Sequence, residues 1–424
     1  MTIDASKLTL LDEGIRTFNT NIFKYHPNEA VYLQSLVDIV VKGRRKMSRP
    51  GQETLSLAGT RAEYDLTDNK IPLLRSKRIF HRSFMVENQW FISGSDDVGF
   101  LKANNVSIWD SWVIPETAVF APTDKQTGFD IETYIRCHIP EAFKLLVTHK
   151  RELNIGIPSV QQMNEFIAFA KEEALLQPRE LAGLENIPSV KLVSGKIGAG
   201  AYGPAWRNWE DTRIVPETNT IGHEKMCARG FTLKVNNELL IDDEVHDVYA
   251  RNIDQLSDAV DMLRKGADSR RIIVSAWNAA KIDEAALPPC HSFFQFVSYD
   301  NFDGGPRDLV CIVTFRSNDA AAGKPFNIAQ YAALTHLMAH ITNHRATKLI
   351  VNVGDDHIYE DQLALLPEQL MREPISLPSA TIKYPEHVKG LYDFIHLSAE
   401  ELAGLIQGYE EGTYHPRLDY PVAV

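Results

Sequence analysis

Cys290 ends the run Pro288-Pro289-Cys290-His291, where two prolines stiffen the chain and present the residue that follows. A thiol in an exposed, electropositive setting ionises readily, and its thiolate is a nucleophile. Cys137, Cys227 and Cys311 lack that approach, and the ordinary role of a small buried apolar residue is expected for Cys227 and Cys311. Cys137-His138 repeats the Cys-His dipeptide, so adjacency alone does not mark a nucleophile. What distinguishes Cys290 is its company: Arg316-Ser317-Asn318-Asp319, then Gly323-Lys324-Pro325-Phe326-Asn327-Ile328, then Gly354-Asp355-Asp356-His357-Ile358-Tyr359. A guanidinium such as Arg316 forks onto anionic oxygens. The amide of Asn327 offers a donor and an acceptor to the edge of a heterocycle. His357 and Tyr359, two apart in a strand-like segment, point to the same side. Glu87 interrupts an apolar stretch at 80–91, where a carboxylate must be protonated or hydrogen-bonded to be tolerated, a setting that suits a proton relay.

Gly198-Ala199-Gly200-Ala201-Tyr202-Gly203 satisfies G-x-G-x-x-G, the basis of a nicotinamide oxidoreductase reading. That fingerprint needs a strand before it, a helix after it and an acid about 20 residues on. Here Pro204 and WRNWEDTR follow at once, which favours a glycine-rich loop positioning Tyr202 and Trp206. A Cys-His hydrolase would need its histidine brought to the thiol by the fold, and His291 is poorly placed for that.

The elements that must carry these residues can be read from periodicity. Residues 30–42 have helical spacing and lead into a basic turn; 54–74 is strand-like; 80–91 reads as a buried helix. Two or three amphipathic helices broken by Pro and Gly form a helical insertion at about 113–194. A smaller insertion at about 210–248 contains a hairpin expected to turn at Asn236-Asn237. RRIIVSAW, SFFQFVSY and DLVCIVTF read as strands around a PPCH-bearing loop, and a long helix is expected from about 329 to 341. Residues 1–29 are an N-terminal extension to a catalytic domain at 30–424.

Composition narrows the class. The 44 basic and 56 acidic residues give a net charge of −12, which argues against a broad basic surface for nucleic acid or anionic membrane. Four cysteines without a CxxC pair make neither a disulfide framework nor a zinc ribbon, so no metal is expected and a reducing compartment is. No leader is expected at the acidic N-terminal stretch. Apolar runs fall short of the ~20 residues that span a bilayer. A soluble cytoplasmic enzyme is the expectation.

Taken in order, PPCH, the RSND and GKPFN segments and GDDHIY resemble the thymidylate synthase family, whose signature combines PCH, RSxDxxLGxPFN and GDxHxY. The likeness extends to Arg49-Pro50-Gly51, Ser76-Lys77-Arg78, Glu87 with Trp90-Phe91, Ile108-Trp109-Asp110, Tyr202-Gly203 with Trp206-Arg207, and the terminal Pro421-Val422-Ala423-Val424, covering roughly 30–112, 195–209 and 249–424. It implies an α+β fold, a large mixed β-sheet flanked by helices plus the helical insertion. It also implies a homodimer with shared sites that takes dUMP and 5,10-methylenetetrahydrofolate. Cys290 would attack pyrimidine C6, aided by Glu87, Arg316, Asn327 and Asp355. Asn327 would read O4 and N3-H of uracil, where cytosine-specific relatives carry aspartate. Arg49, Arg316 and Ser317 would bind phosphate with Arg270 and Arg271 of the other subunit; taken alone, that arginine pair reads as a solvated charge run. His357 and Tyr359 would hold the ribose. Lys77, Trp109, Asp319, Gly323, Phe326 and Val424 would hold the folate.

Two positions depart from the pattern: Phe315 stands where the family has glutamine, and Ala322 where it has leucine. With the insertions and the RSND form, these changes resemble the deoxyuridylate hydroxymethylases of viruses with modified thymine-like bases. There, water rather than hydride captures the exocyclic methylene. Trp109, Asp355 and the PVAV terminus match an ordinary synthase instead, which would make dTMP.

Overall fold

The computed structural model describes residues 5–48, 51–112, 118–120, 141–142, 144–146, 148, 160–178, 190–192, 195–216, 222–241, 244–266, 268–302 and 304–422. Arg49, Cys137 and Val424 lie outside the described residues, as does most of 113–194. Two compact units emerge, Met1–Ser95 with Ala199–Val424, and Asp96–Gly198.

The first unit opens with α1 (Ala5–Asn21) and α2 (Pro27–Lys42), then β1 (Arg44–Met47), β2 (Glu53–Asp65) and α3 (His81–Ser93). The second holds α4 (Gly99–Ala103), β3 (Ala118–Phe120), α5 (Val160–Glu172) and β4 (Val190–Leu192) among its described residues. Its β3 and β4 pair antiparallel, and its ends are clipped by Val98 N–H to Gly195 O (3.0 Å) and Ile197 N–H to Asp96 O (2.9 Å). The first unit resumes with α6 (Tyr202–Arg207), β5 (Trp209–Pro216), α7 (Gly222–Ala228), β6 (Thr232–Ile241), β7 (Glu244–Ile253) and α8 (Gln255–Arg264). It continues with β8 (Ile273–Ser275), β9 (His291–Tyr299), β10 (Arg307–Asp319), α9 (Lys324–Ile341), β11 (His344–Tyr359) and α10 (Leu366–Met371).

Six strands form one mixed sheet in the order β1-β2-β11-β10-β9-β8, in which β10 and β11 run parallel and the other pairs antiparallel. The segment read as strand-like at 54–74 is one long strand, β2, that follows β11 from Asp65↔Lys348 to Thr54↔Tyr359. Period-2 alternation assigns the faces: Phe294 and Phe296 are buried, whereas Phe293 and Tyr299 are exposed on the other side of β9. The crossover helix α9 is buried nearly all round, as an apolar core helix must be. It starts earlier than the periodicity suggests, because Pro325 in the first turn forfeits only an amide that has no helical partner there. Phe326 and Asn327 therefore stand on the first turn of a helix. At Gly354 a Cβ would meet the Arg316 carbonyl at 2.9 Å, so the glycine lets β10 and β11 close up beside the site.

Two expectations need correction. Asn236-Asn237 is not a turn: β6 and β7 pair from Thr232↔Ala250 to Ile241↔Glu244, and the asparagines lie inside β6 where the register shifts between Val235 and Leu239. The turn chemistry of Asn was real, but the strand absorbed it as an irregularity. Cys227 is exposed, not buried, although Cys311 is buried as expected. Gly200 is needed because a Cβ there would lie 2.0 Å from the Lys281 carbonyl, so it packs against the loop that leads to Cys290. No helix among the described residues is long and apolar enough to cross a membrane.

Beneath the sheet, Lys324 at the start of α9 is ion-paired with Asp356 of β11, at 1% and 0% side-chain exposure. Ser35 accepts from the ammonium at 3.1 Å and Thr60 donates to the carboxylate at 2.8 Å, yet Asp356 Oδ1 has no partner among the described residues. A buried pair stabilises little in net terms, but breaking it strands a charge. Lys324→Met should cost ~3–5 kcal/mol in denaturant unfolding. The double variant Lys324→Met with Asp356→Leu should recover most of that loss, and a double variant as unstable as the single would refute the coupling.

Candidate active site

Cys290 sits just before β9, and its loop is fixed by two side chains from other elements. Arg316 of β10 donates from Nε to the Pro289 carbonyl (2.9 Å) and from Nη2 to the Pro288 carbonyl (2.7 Å). The same Nη2 stands 3.6 Å from Cys290 Sγ, and the Arg316 backbone N–H reaches the Cys290 carbonyl at 2.8 Å. From the opposite side, the hydroxyl of Tyr202 accepts the N–H of Cys290 at 2.7 Å and that of His291 at 3.3 Å. Tyr202 is itself buried, its ring 4.6 Å from that of Phe91 on α3. Burial raises the Cys290 thiol above its ordinary value, and the Arg316 charge opposes that rise. The thiol is thus half-enclosed, with the Arg316 cation at hand to oppose the cost that burial places on a thiolate.

Asn327 projects from the first turn of α9, partly exposed, with Nδ2 3.4 Å from Asn318 Oδ1. Its side chain also bonds His291, whose ring is driven down to about 3 by burial and so stays neutral. Phe315 is 1% exposed, its ring 4.6 Å from His291 and 5.9 Å from Tyr331. Beside that apolar ring, His291 Nδ1 and Tyr331 OH have no partner among the described residues. Glu87 faces α9, accepting from Gln330 Nε2 at 3.0 Å, which is the hydrogen bond its position demanded.

On the parallel ladder, Ser317 pairs with Asp355 and Asp319 with His357. His357 and Tyr359 share the open side with rings 5.1 Å apart, while Asp356 and Ile358 between them are buried. Burial raises the Asp355 carboxyl, but hydrogen bonds from Lys46 and from Ser56 (2.7 Å) hold it below its ordinary value overall. Arg270 and Arg271 precede β8 on the surface, and their guanidinium groups make no hydrogen bond among the described residues.

Asp319 accepts from the N–H groups of Ala321 (3.1 Å) and Ala322 (2.9 Å), and burial raises its carboxyl. Gln362, which sequence reasoning missed, donates to Asp319 Oδ2 and to the Pro421 carbonyl, each at 2.8 Å, and accepts from Tyr359 N–H at 3.1 Å. One side chain thus ties the ladder to the C-terminal tail, and only its place three residues beyond Tyr359 could have hinted at it. Lys77 is buried with its ammonium on the Ala321 carbonyl and 4.5 Å from the centre of the Tyr420 ring. Burial brings Lys77 down to about 7, and the Asp319 charge opposes this. Asp319, next to the half-exposed Ala322, Gly323 and Phe326, gives an acceptor beside an apolar surface, which suits a flat heterocycle bearing N–H donors. Trp109 belongs to the second unit, where its ring packs edge-on to Trp112 at 6.2 Å.

A family model described as Thymidylate synthase matches residues 30–424. The chain belongs to the thymidylate synthase family. It is 30% identical over 393 residues to a thymidylate synthase of Mycoplasma mobile, spanning 93% of this chain and 99% of that protein. A thymidylate synthase of Leuconostoc mesenteroides is 31% identical over 368 residues, 87% of this chain and 92% of its own. The α+β architecture expected from sequence is that of the family, and the chain is a one-carbon transferase with 5,10-methylenetetrahydrofolate as co-substrate.

If the Arg316 charge opposes the burial of Cys290, Arg316→Met should raise the thiol further. Below the pKa each unit of rise cuts the thiolate fraction roughly tenfold. Iodoacetamide labelling of Cys290 at neutral pH should slow by about that factor or more, with Arg316→Lys in between. An unchanged rate would leave Arg316 only its contacts to the prolyl carbonyls.

Proposed function

We propose that the enzyme transfers a one-carbon unit to C5 of dUMP through a thioether between Cys290 and C6, with water completing the reaction to give 5-hydroxymethyl-dUMP. The transfer rests on one observation above the others: Arg316 braces the prolyl carbonyls while lying 3.6 Å from the Cys290 sulfur. Attack on C6 makes C5 enolate-like, and charge develops at O4, where the Asn327 amide donates while accepting N3-H. Arg49, Arg316 and Ser317 bind the phosphate of the nucleotide with Arg270 and Arg271 from a second subunit. Surface exposure of that arginine pair supports this, as do the exposed Ile273, Phe293 and Tyr299 on the uncovered sheet face, which a homodimer would bury. His357 and Tyr359 receive the ribose hydroxyl, and Glu87, bonded to Gln330, moves a proton within the site.

When bound, 5,10-methylenetetrahydrofolate supplies the one-carbon unit and, for a synthase, the hydride as well. Lys77, Trp109, Asp319, Gly323, Phe326 and Val424 are the residues assigned to it. Ala322 carries the choice of product. It is half-buried in the turn ahead of α9, its N–H held by Asp319, and its short side chain leaves space where the family carries leucine. Such space admits water where polar partners line it, and exclusion of water is what protects a reactive intermediate from hydrolysis. The second reading, thymidylate synthase, is favoured by the names of the relatives and by Asp355, which is retained in full hydrogen-bonded form.

Incubation with dUMP and 5,10-methylenetetrahydrofolate should yield 5-hydroxymethyl-dUMP by mass, with tetrahydrofolate formed in step and no rise in dihydrofolate absorbance. Ala322→Leu should divert flux toward dTMP. Stoichiometric dTMP and dihydrofolate from the wild type would establish the synthase reading instead.

A further inference from the structure

A second thiol stands in catalytic company away from the one-carbon site. Cys227 and His223 are one helical turn apart on α7, both exposed, with Sγ 3.4 Å from His223 Nε2. The other ring nitrogen, Nδ1, lies 3.1 Å from the hydroxyl of Tyr249 on β7. Tyr249 is hydrogen-bonded through its hydroxyl to the Asp247 carboxylate. A carboxylate only accepts, so that hydroxyl proton goes to Asp247 and the oxygen is left to accept Nδ1–H of His223. The tautomer follows: Nε2 is the bare, basic nitrogen, and it faces the thiol. The ring of Tyr249 is fixed in turn by packing with Met226 and Phe231, so the orienting group is rigid. Nucleophile, base and orienter are thereby in hydrogen-bonded sequence, the arrangement by which thiols are activated.

We propose that Cys227 is a reactive thiol that exchanges with small-molecule disulfides, with His223 as its base and Tyr249 and Asp247 as positioning residues. The thiol proton passes to His223 Nε2. The thiolate attacks one sulfur of the disulfide, a new sulfur–sulfur bond forms as the old one breaks, and the departing thiolate takes the proton from the imidazolium. The disulfide is the oxidant, and Cys227 ends as a mixed disulfide. The charged residues next to Cys227 along the chain are Glu224 and Lys225 of α7 and Arg229 of the following turn, and β7 contributes Asp247 and Tyr249. Arg251 of β7 is engaged by Asp211 (2.9 Å) and by the Arg229 carbonyl (2.8 Å). The site uses none of the residues assigned to one-carbon transfer, and His223, Cys227 and Asp247 lie in the segment read from sequence as an insertion, with Tyr249 just beyond it.

The test treats the full chain with glutathione disulfide and maps the adduct by mass, at neutral pH and at a pH where every exposed thiol is ionised. Wild type should carry the adduct on Cys227, and Cys227→Ser should lose it while keeping one-carbon transfer. His223→Gln should react about tenfold more slowly at neutral pH and as fast as wild type at alkaline pH, because the base matters only while the thiol holds its proton. Tyr249→Phe should fall between the two at neutral pH. Retained one-carbon transfer in each variant certifies its fold. Equal neutral-pH rates for wild type and His223→Gln, an equal deficit at both pH values, or no adduct on Cys227 would each overturn the proposal.

Discussion

A parallel pair of strands cannot be closed by a tight turn; it needs a crossover of a dozen or more residues, usually a helix. The site is built on that constraint. β10 and β11 run side by side from Arg307↔His344 to Asp319↔His357, and α9 is the crossover between them. The ladder sets Ser317 against Asp355 and Asp319 against His357, and the start of the crossover delivers Asn327 to the same end. A slip of one residue would turn His357 and Tyr359 into the core and Asp356 out of it. The Lys324–Asp356 pair opposes that slip, since only the observed register lets the buried carboxylate meet the buried ammonium. The pair thus couples the helix that bears Asn327 to the strand that bears His357 and Tyr359.

Electrostatics follows from what this frame buries. Burial drives Cys290, Asp319 and Lys77 toward their neutral forms, and a counter-group opposes it in each case: Arg316 for the thiol, the Asp319 charge for Lys77, and the Ala322 N–H and Gln362 for Asp319. At Asp355 the hydrogen bonds from Lys46 and Ser56 outweigh burial. Groups poised between charge states by opposed influences are those whose ionisation a bound anion or heterocycle can change. Phe315 acts in the other direction, setting an apolar ring beside His291 Nδ1 and Tyr331 OH, which have no partner among the described residues.

Much of this frame was legible in the sequence because it is local. Periodicity identifies α2 and α3, alternation assigns His357 and Tyr359 to one face, and two prolines announce the Cys290 loop. What the sequence withheld is contact at a distance. Tyr202 reaches Cys290 across 88 positions, and Lys77 reaches Ala321 across 244. No spacing rule connects such residues. Local signals also misled: periodicity starts the long helix at about 329 yet α9 begins at Lys324, Asn236-Asn237 reads as a turn yet lies within β6, and Cys227 reads as buried filler yet is exposed beside His223. The insertion at about 113–194 shows the amphipathic spacing of helices, but helical spacing alone says nothing of what an insertion does.

The central claim is that Cys290, braced by Arg316 and by the Tyr202 hydroxyl, is the nucleophile that adds to C6 of the pyrimidine. Incubation with 5-fluoro-dUMP and 5,10-methylenetetrahydrofolate, followed by digestion and peptide mapping, tests it directly, because fluorine at C5 blocks release of the adduct. The account predicts a covalent complex of protein, nucleotide and folate carried by the peptide containing Cys290, and none in Cys290→Ala. A complex that persists in Cys290→Ala, or one that maps to Cys227, would contradict it.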